Sequence, residues 1–206
     1  MDSVKTAYDK VAPTYDDLYD DDLSAAQNAA AAAMLRAAGA HCGGFYADVL
    51  DVGCGTGLLL DILPEAAASY YGIDLSAGMI LEAQRKHPDA KFKIQDVTKL
   101  CHSLNMTSGI VASLFSVMNH LSVAEILGVS LSLTRPGARL FYILRRVALY
   151  QAKEGIPAPK IHNLEDVCGV LRSQGFNDVR LCGLTTALEL DDFAVIQAVR
   201  SRPESA

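Results

Sequence analysis

The densest cluster of residues able to do chemistry is Asp51-Val52-Gly53-Cys54-Gly55-Thr56-Gly57. Glycine at every second position lets a chain turn sharply and lets a ligand approach the main chain without meeting a Cβ. Asp74 follows Gly57 by 17 residues. At the end of a following strand, such a carboxylate can accept hydrogen bonds from both hydroxyls of a ribose. The spacing also excludes. A dinucleotide fingerprint reads G-x-G-x-x-G or its Ala variant, whose last small residue lets helix and strand close around a pyrophosphate. Here the glycines fall at 53, 55 and 57, and that last position is Leu58. Leu crowds a pyrophosphate, so the pattern fits a ligand with an adenosine and no phosphates.

These residues meet only if they stand at the carboxyl ends of neighbouring parallel strands. Apolar runs predict strands over residues 47–52, 69–74, 91–95, 110–115, 138–144, 179–182 and 193–199. Helical patterns fill the intervals: 58–68, shortened or bent by Pro64; 76–86, with Ser76 as N-cap; 123–133, before the turn Arg135-Pro136-Gly137; and 163–174. Upstream lies a stretch rich in Tyr and Asp, where Pro13 interrupts or starts a short helix. An Ala-rich helix over 23–38 follows, with Gly39 as its stop. Alternating strands and helices imply a doubly wound α/β sheet, and the last two strands are close enough to pair as an antiparallel hairpin. No internal repeat or second domain boundary is visible. The expectation is a single domain over 1–206, with a helical lid over 1–40 and a core over 45–206.

Composition narrows the functional class. Half of the 206 residues are hydrophobic and 20% are charged, which is ordinary for a globular chain. The net charge of −6 disfavours a broad nucleic-acid footprint, which needs clustered Lys and Arg. The five cysteines show no C-x-x-C pair, which reads as reduced thiols rather than a disulfide framework or zinc site. The amino terminus is polar, and no apolar run reaches the ~18 residues of a membrane span. These features predict a cytoplasmic protein with no nucleic-acid or membrane partner.

The motifs together resemble the class I S-adenosylmethionine-dependent methyltransferases. Asp51–Gly57 is similar to their first motif, Ile73-Asp74-Leu75-Ser76 to the second and Gln95-Asp96-Val97 to the third. Tyr8-Asp9 with Tyr15-Asp16 resembles an N-terminal signature of the small-molecule branch, and Thr134-Arg135-Pro136-Gly137-Ala138 the turn before the fifth strand. The resemblance spans residues 8–144. It implies a Rossmann-like, seven-stranded, mostly parallel sheet of order 3-2-1-4-5-7-6 with an antiparallel last strand. It also implies S-adenosyl-L-methionine as cofactor. By the same resemblance, Asp51, Gly53 and Gly55 line the methionine portion, with Asp51 or a glycine carbonyl facing its ammonium. Asp74 binds the ribose, Leu75 and Met79 pack near the adenine, and Asp96 accepts from the adenine amino group beside Val97. Phe115 sits near the methionine moiety, and Tyr8 and Tyr15 close the site from above.

The implied reaction moves a methyl group to a nitrogen or oxygen of a small metabolite. A general base is needed only where the acceptor arrives protonated or is a hydroxyl. His120 stands where related enzymes face the acceptor and is the candidate base, with Asn119, Arg145 and Tyr150 as candidate acceptor-binding residues. Bland readings stand beside these: Asp96 also suits a helix cap, His120 also suits a backbone-satisfied helix start, and Arg145 also suits a solvated charged face. Three absences matter. The acid that many relatives carry at the start of strand four is absent from Ser108-Gly109-Ile110-Val111. The Asn/Asp-Pro-Pro-Tyr motif and an obvious set of acidic metal ligands are also missing. The acceptor is left undetermined, and the chain is expected as a monomer or homodimer. Two other classes fit the same fold: a non-catalytic S-adenosylmethionine-binding accessory protein, and a nucleotide-linked oxidoreductase that Leu58 disfavours.

Overall fold

Val49–Val52 is buried at all four positions, a pattern that only an interior strand covered on both faces satisfies. The computed structural model describes residues 2–40, 48–99, 108–145, 155–184 and 193–202. Its strands are β1 (Val49–Val52), β2 (Tyr70–Asp74), β3 (Lys91–Ile94), β4 (Ser108–Ser113), β5 (Thr134–Arg145), β6 (Phe176–Gly183) and β7 (Phe193–Arg200). They form one sheet of order β3-β2-β1-β4-β5-β7-β6, as the resemblance implies. The pairs β1–β2, β1–β4, β2–β3 and β4–β5 are parallel, and β7 runs antiparallel to β5 and to β6. The sheet order reverses beside β1, so the ends of β1, β2 and β4 open onto the crevice where such sheets bind ligands.

Helices cover both faces: α1 (Asp2–Val11), α2 (Asp22–Ala40), α3 (Leu58–Ile62), α4 (Ala77–Lys86), α5 (Val123–Leu133) and α6 (Leu164–Ser173). On one face Leu50, Val52, Val111, Leu140 and Ile196 pack under Ile126, Val129 and Leu133 of α5 and Val167 and Leu171 of α6. On the other, Val49, Ile110, Phe141 and Val195 meet Ala31, Ala32 and Leu35 of α2 and Leu59 and Leu60 of α3. The alanine run is therefore a packing surface. β3 lies at one edge of the sheet, and its exposed Lys91 and Lys93 suit a strand with one unpaired side. No helix among the described residues is long and apolar enough to cross a membrane.

Three departures from the sequence expectation have backbone causes. The helix expected over 58–68, with Pro64 shortening or bending it, stops at Ile62, because Leu63 leaves the helical region at φ −139° and ψ 63° and Pro64 starts a 3-10 turn to Ser69. The turn Arg135-Pro136-Gly137 lies inside β5 as a bulge. Ser108 pairs with Thr134 but Ile110 with Arg139, and Gly137 supplies φ +86°. β6 begins three residues early, and a second bulge holds Asp178 at φ +47°.

Burial predicts the cost of truncation. Leu50 is fully buried at the sheet centre, so Leu50→Ala should cost about 2–5 kcal/mol. Leu81 is 65% exposed, and Leu81→Ala should change stability by less than about 0.5 kcal/mol. Urea unfolding of the two variants checks the contrast.

Candidate functional site

The glycine loop is built by two carbonyl contacts and one carboxylate. The N–H groups of Gly53 and Cys54 both donate to Ile73 O, at 2.8 and 3.0 Å, which turns the chain back over β2. Gly53, at φ +72°, has no room for a side chain: a Cβ there would stand 2.1 Å from Ser116 Oγ and 2.9 Å from Val117 Cβ. The Ser116 hydroxyl donates to Gly53 O and locks the loop after β4 against it. Gly55 is different. Its φ of +54° again needs glycine, yet nothing lies within 4 Å of where a Cβ would stand. Its main chain faces open cavity.

Asp74 closes the β2 end. One carboxylate oxygen accepts from Gly55 N at 3.0 Å and the other from Ser76 N at 2.8 Å. Burial raises its pKa above the usual carboxylate range, against the pull of these backbone donors. Ser76 caps α4 by accepting from Met79 N at 3.1 Å.

A cavity of about 470 Å³ lies over these loops, within the range typical of small-molecule sites. Gly53, Gly55, Asp74, Leu75 and Met79 form its floor, with Phe115, Val117, His120, Arg145 and Phe193 along another wall. Tyr8, Tyr15, Tyr19, Ser24, Gln27 and Asn28 cover it from the N-terminal segment. Tyr8 and Tyr15 meet edge-on at 6.1 Å, and the Tyr8 hydroxyl lies 3.1 Å from His120 Nε2. Burial, then the charge of Lys160, holds His120 below its ordinary pKa of 6.5 and so favours the neutral imidazole. Phe115 sits two residues past β4 at φ +54°, a strained conformation that aims its ring into the cavity against Phe193, 4.8 Å away.

A family model described as a methyltransferase domain matches residues 49–137. Among curated relatives, the dTDP-3-amino-3,6-dideoxy-alpha-D-glucopyranose N,N-dimethyltransferase of Streptomyces fradiae is 37% identical over 76 residues, 37% of this chain and 29% of that protein. The demethylmenaquinone methyltransferase of Beutenbergia cavernae is 34% identical over 134 residues, 65% of this chain and 54% of that protein. The chain thus spans about half or less of these relatives. Among solved structures, the DhpI–SAH complex superposes with a TM-score of 0.76 at 19% identity, over 98% of this chain and 97% of that one. Magnesium protoporphyrin IX methyltransferase from Synechocystis PCC 6803 with bound SAM gives 0.70 at 24% identity, over 98% of each chain. At these identities the likeness is one of fold.

Several candidate residues take positions that the motifs do not reveal. Asp51 is buried beneath the glycine loop and does not line the cavity. Its carboxylate accepts from the Tyr70 hydroxyl at 2.9 Å, and burial, reinforced by the charge of Asp74, pushes its pKa up to about 7. Asp96 also lies off the cavity lining and has the helix-cap geometry. It accepts from Thr98 N at 3.0 Å and Thr98 Oγ1 at 2.6 Å, and these bonds with Lys99 outweigh burial and keep its pKa low. Val97 is a core residue. Asn119 is 3% exposed and absent from the cavity wall; its Oδ1 accepts from Arg145 N at 2.8 Å, so it braces the backbone beside the site. Tyr150 lies outside the described residues.

The acids beside Tyr8 and Tyr15 carry contacts that the motifs do not announce. Asp9 accepts from Ser76 Oγ at 2.6 Å and Gly78 N at 3.1 Å, and Asp16 accepts from Thr56 Oγ1 at 2.6 Å and Lys86 at 2.9 Å. These bonds pin the N-terminal segment to the loops after β1 and β2. The Tyr-Asp repeat was the available signal, but only the fold shows what its carboxylates reach. Hydrogen bonds from Lys5, Ser76 and Gly78 outweigh burial and hold Asp9 down at about 2. Its stabilising contribution is therefore full above about pH 4 and lost only as pH falls towards 2. Asp9→Ala should raise amide exchange across α1 by roughly tenfold or more at neutral pH, with β1 and β4 unchanged, in a hydrogen-exchange measurement.

Proposed function

We propose that this chain is an S-adenosylmethionine-dependent methyltransferase acting on a nitrogen or oxygen of a small metabolite. The observation that carries the proposal is the open space above Gly55 directly beside the Asp74 carboxylate. A cradle that a Cβ would fill, next to an acid at the end of β2, fits a nucleoside whose ribose hydroxyls bond Asp74 and whose amino-acid tail lies on main chain. Leu75 and Met79 supply apolar cover for a base on the same floor. The acids Asp16, Asp17 and Asp74 on the wall, with Asp51 beneath, favour a ligand carrying positive charge. The curated relatives named above are methyltransferases of a nucleotide sugar and of a quinone precursor, and the solved neighbours carry SAM or SAH. They support the same reading. We further propose a cytoplasmic location, a reading supported by the free thiols of Cys54, Cys168 and Cys182.

Held by Gly55, Asp74, Leu75 and Met79, S-adenosylmethionine would supply a methyl carbon on a sulfonium; the chain's own residues supply position and proton transfer. For such chemistry alignment and exclusion of water dominate the acceleration. Tyr8, Tyr15 and Tyr19 exclude water from above. His120, held below its ordinary pKa and so neutral at pH 7, takes the acceptor's proton by way of Tyr8: the Tyr8 hydroxyl, 3.1 Å from Nε2, passes its own proton to that nitrogen and receives the acceptor's.

Two outcomes test this reading. In calorimetry, Asp74→Ala should weaken adenosylhomocysteine binding by about 2 kcal/mol or more, because two hydrogen bonds to a charged group are lost. In an assay of adenosylhomocysteine formation, His120→Ala should lower kcat by about a hundredfold or more, with cofactor affinity unchanged. The wild-type acid limb should fall below pH 6.5, the side on which burial moves His120.

A further inference from the structure

The start of α2 interrupts an otherwise uniform run. From residue 25 to residue 33 every position is Ala except Gln27 and Asn28. Ala is the better helix former at both, and neither residue caps the helix, so propensity does not explain them. Further along, Ala31, Ala32 and Leu35 form the stripe that packs on the sheet, with Ile110 of β4, Phe141 of β5 and Phe193 and Val195 of β7. Gln27 and Asn28 stand one turn earlier on the same stripe. There they overhang the ends of those strands and line the cavity, as do Leu114, Phe115 and Phe193.

Gln27 is 9% exposed and Asn28 is half-buried, and among the described residues neither side chain has a hydrogen-bond partner. Elsewhere buried polar side chains are met: Asp51 accepts from Tyr70, Thr56 donates to Asp16 and Asn119 accepts from Arg145 N. Ser113 Oγ also lacks a partner, but it does not line the cavity. An amide withdrawn from water with no partner is costly, and the Ala found on either side of this pair would remove that cost. On a cavity wall the same amide is a recognition group. It presents an N–H donor and a carbonyl acceptor side by side, without charge. Its full complement is another neutral edge with a donor beside an acceptor, as in a carboxamide or a lactam. A carboxylate or an ammonium answers only half of it.

We infer that Gln27 is a specificity-determining residue: the methyl acceptor is a neutral lactam or carboxamide whose N–H and C=O pair with the Gln27 side chain, with Asn28 beside it and an apolar body against Phe115 and Phe193. This inference rests on the proposed methyltransferase activity and names its substrate class. The proposed nucleoside takes the end of β2, on Asp74, Leu75 and Met79, which leaves the start of α2 to the acceptor.

The test is calorimetric titration of the full chain, first with adenosylhomocysteine and then, once saturated, with 2-quinolone, its N-methyl derivative and 2-naphthoate. The lactam should bind about fivefold or more tightly than the N-methyl derivative, which lacks the donor, and than the anion. Gln27→Met should abolish the preference over the N-methyl derivative while adenosylhomocysteine binds as before. The urea midpoint of that variant should equal or exceed the wild type's, since no hydrogen bond within the protein is lost. Four results would each overturn the inference: equal or tighter binding of either competitor to the wild type, no heat from any of the three probes, a preference over the N-methyl derivative that survives Gln27→Met, or a lower midpoint or weaker adenosylhomocysteine binding in that variant. Absence of heat with adenosylhomocysteine in the wild type would instead overturn the methyltransferase reading on which it rests.

Discussion

The carboxylate of Asp74 receives one N–H from the loop after β1 and another from the loop after β2, and this pair of bonds sets the geometry of everything above it. Two strands hydrogen-bonded side by side do not by themselves fix how their terminal loops lean. A shared carboxylate does. It holds Gly55 at the cavity floor and Ser76 at the start of α4, so that Ser76 can cap the helix and also donate to Asp9. Gly53 adds the constraint from the other side, since Ser116 and Val117 occupy the space a side chain would need. The three strand ends are thereby tied into one rigid platform. A buried acid held this way is costly to charge, which its raised pKa reflects, and donors aimed at it offset that cost.

The N-terminal segment inherits its position from the same platform. Asp9 reaches Ser76 and Gly78, and Asp16 reaches Thr56 and Lys86, so the N-terminal segment is clamped to the loops after β1 and β2. Its tyrosines then face the cavity as a consequence of where its acids are bonded. Tyr8 extends the connection to the far wall, through His120. Closure over the site is therefore built from polar contacts with protein groups, each of modest net strength, and such a segment can open without disturbing the buried sheet.

The fold was largely legible in the sequence because its signals are local. Four consecutive buried residues, a glycine cluster and a capping Ser76 each announce an element without reference to distant chain. The errors arose where local pattern and tertiary pairing disagree. Arg135-Pro136-Gly137 has the chemistry of a turn, yet neighbouring strands carry it through as a bulge. The site was legible to a different degree. Gly55, Asp74, Leu75, Met79, Phe115, His120 and Arg145 do line the cavity, along with Tyr8 and Tyr15. Asp51, Asp96 and Asn119 do not. Each is a polar residue next to a strand end, where sequence alone cannot say whether a backbone group, a neighbouring hydroxyl or a ligand will take its hydrogen bonds. Tyr70, Thr98 and Arg145 N take them here.

That difference also explains why one half of the cavity is readable and the other is not. The glycine-loop side is made by two consecutive strand–loop–helix units, so its residues fall between 53 and 79 with fixed spacing. The opposite side is assembled from segments far apart in the chain: α1, the turn after β4, the end of β5 and the start of β7. No spacing rule links Tyr8, His120, Arg145 and Phe193, because their meeting depends on β5 lying between β4 and β7 and on Asn119 bonding the backbone of Arg145. A small change in any one segment alters that side and leaves the glycine platform intact. The architecture thus separates a rigid half from a composite half free to diverge, and what distinguishes one such cavity from another must be sought in the charge and shape of the composite half.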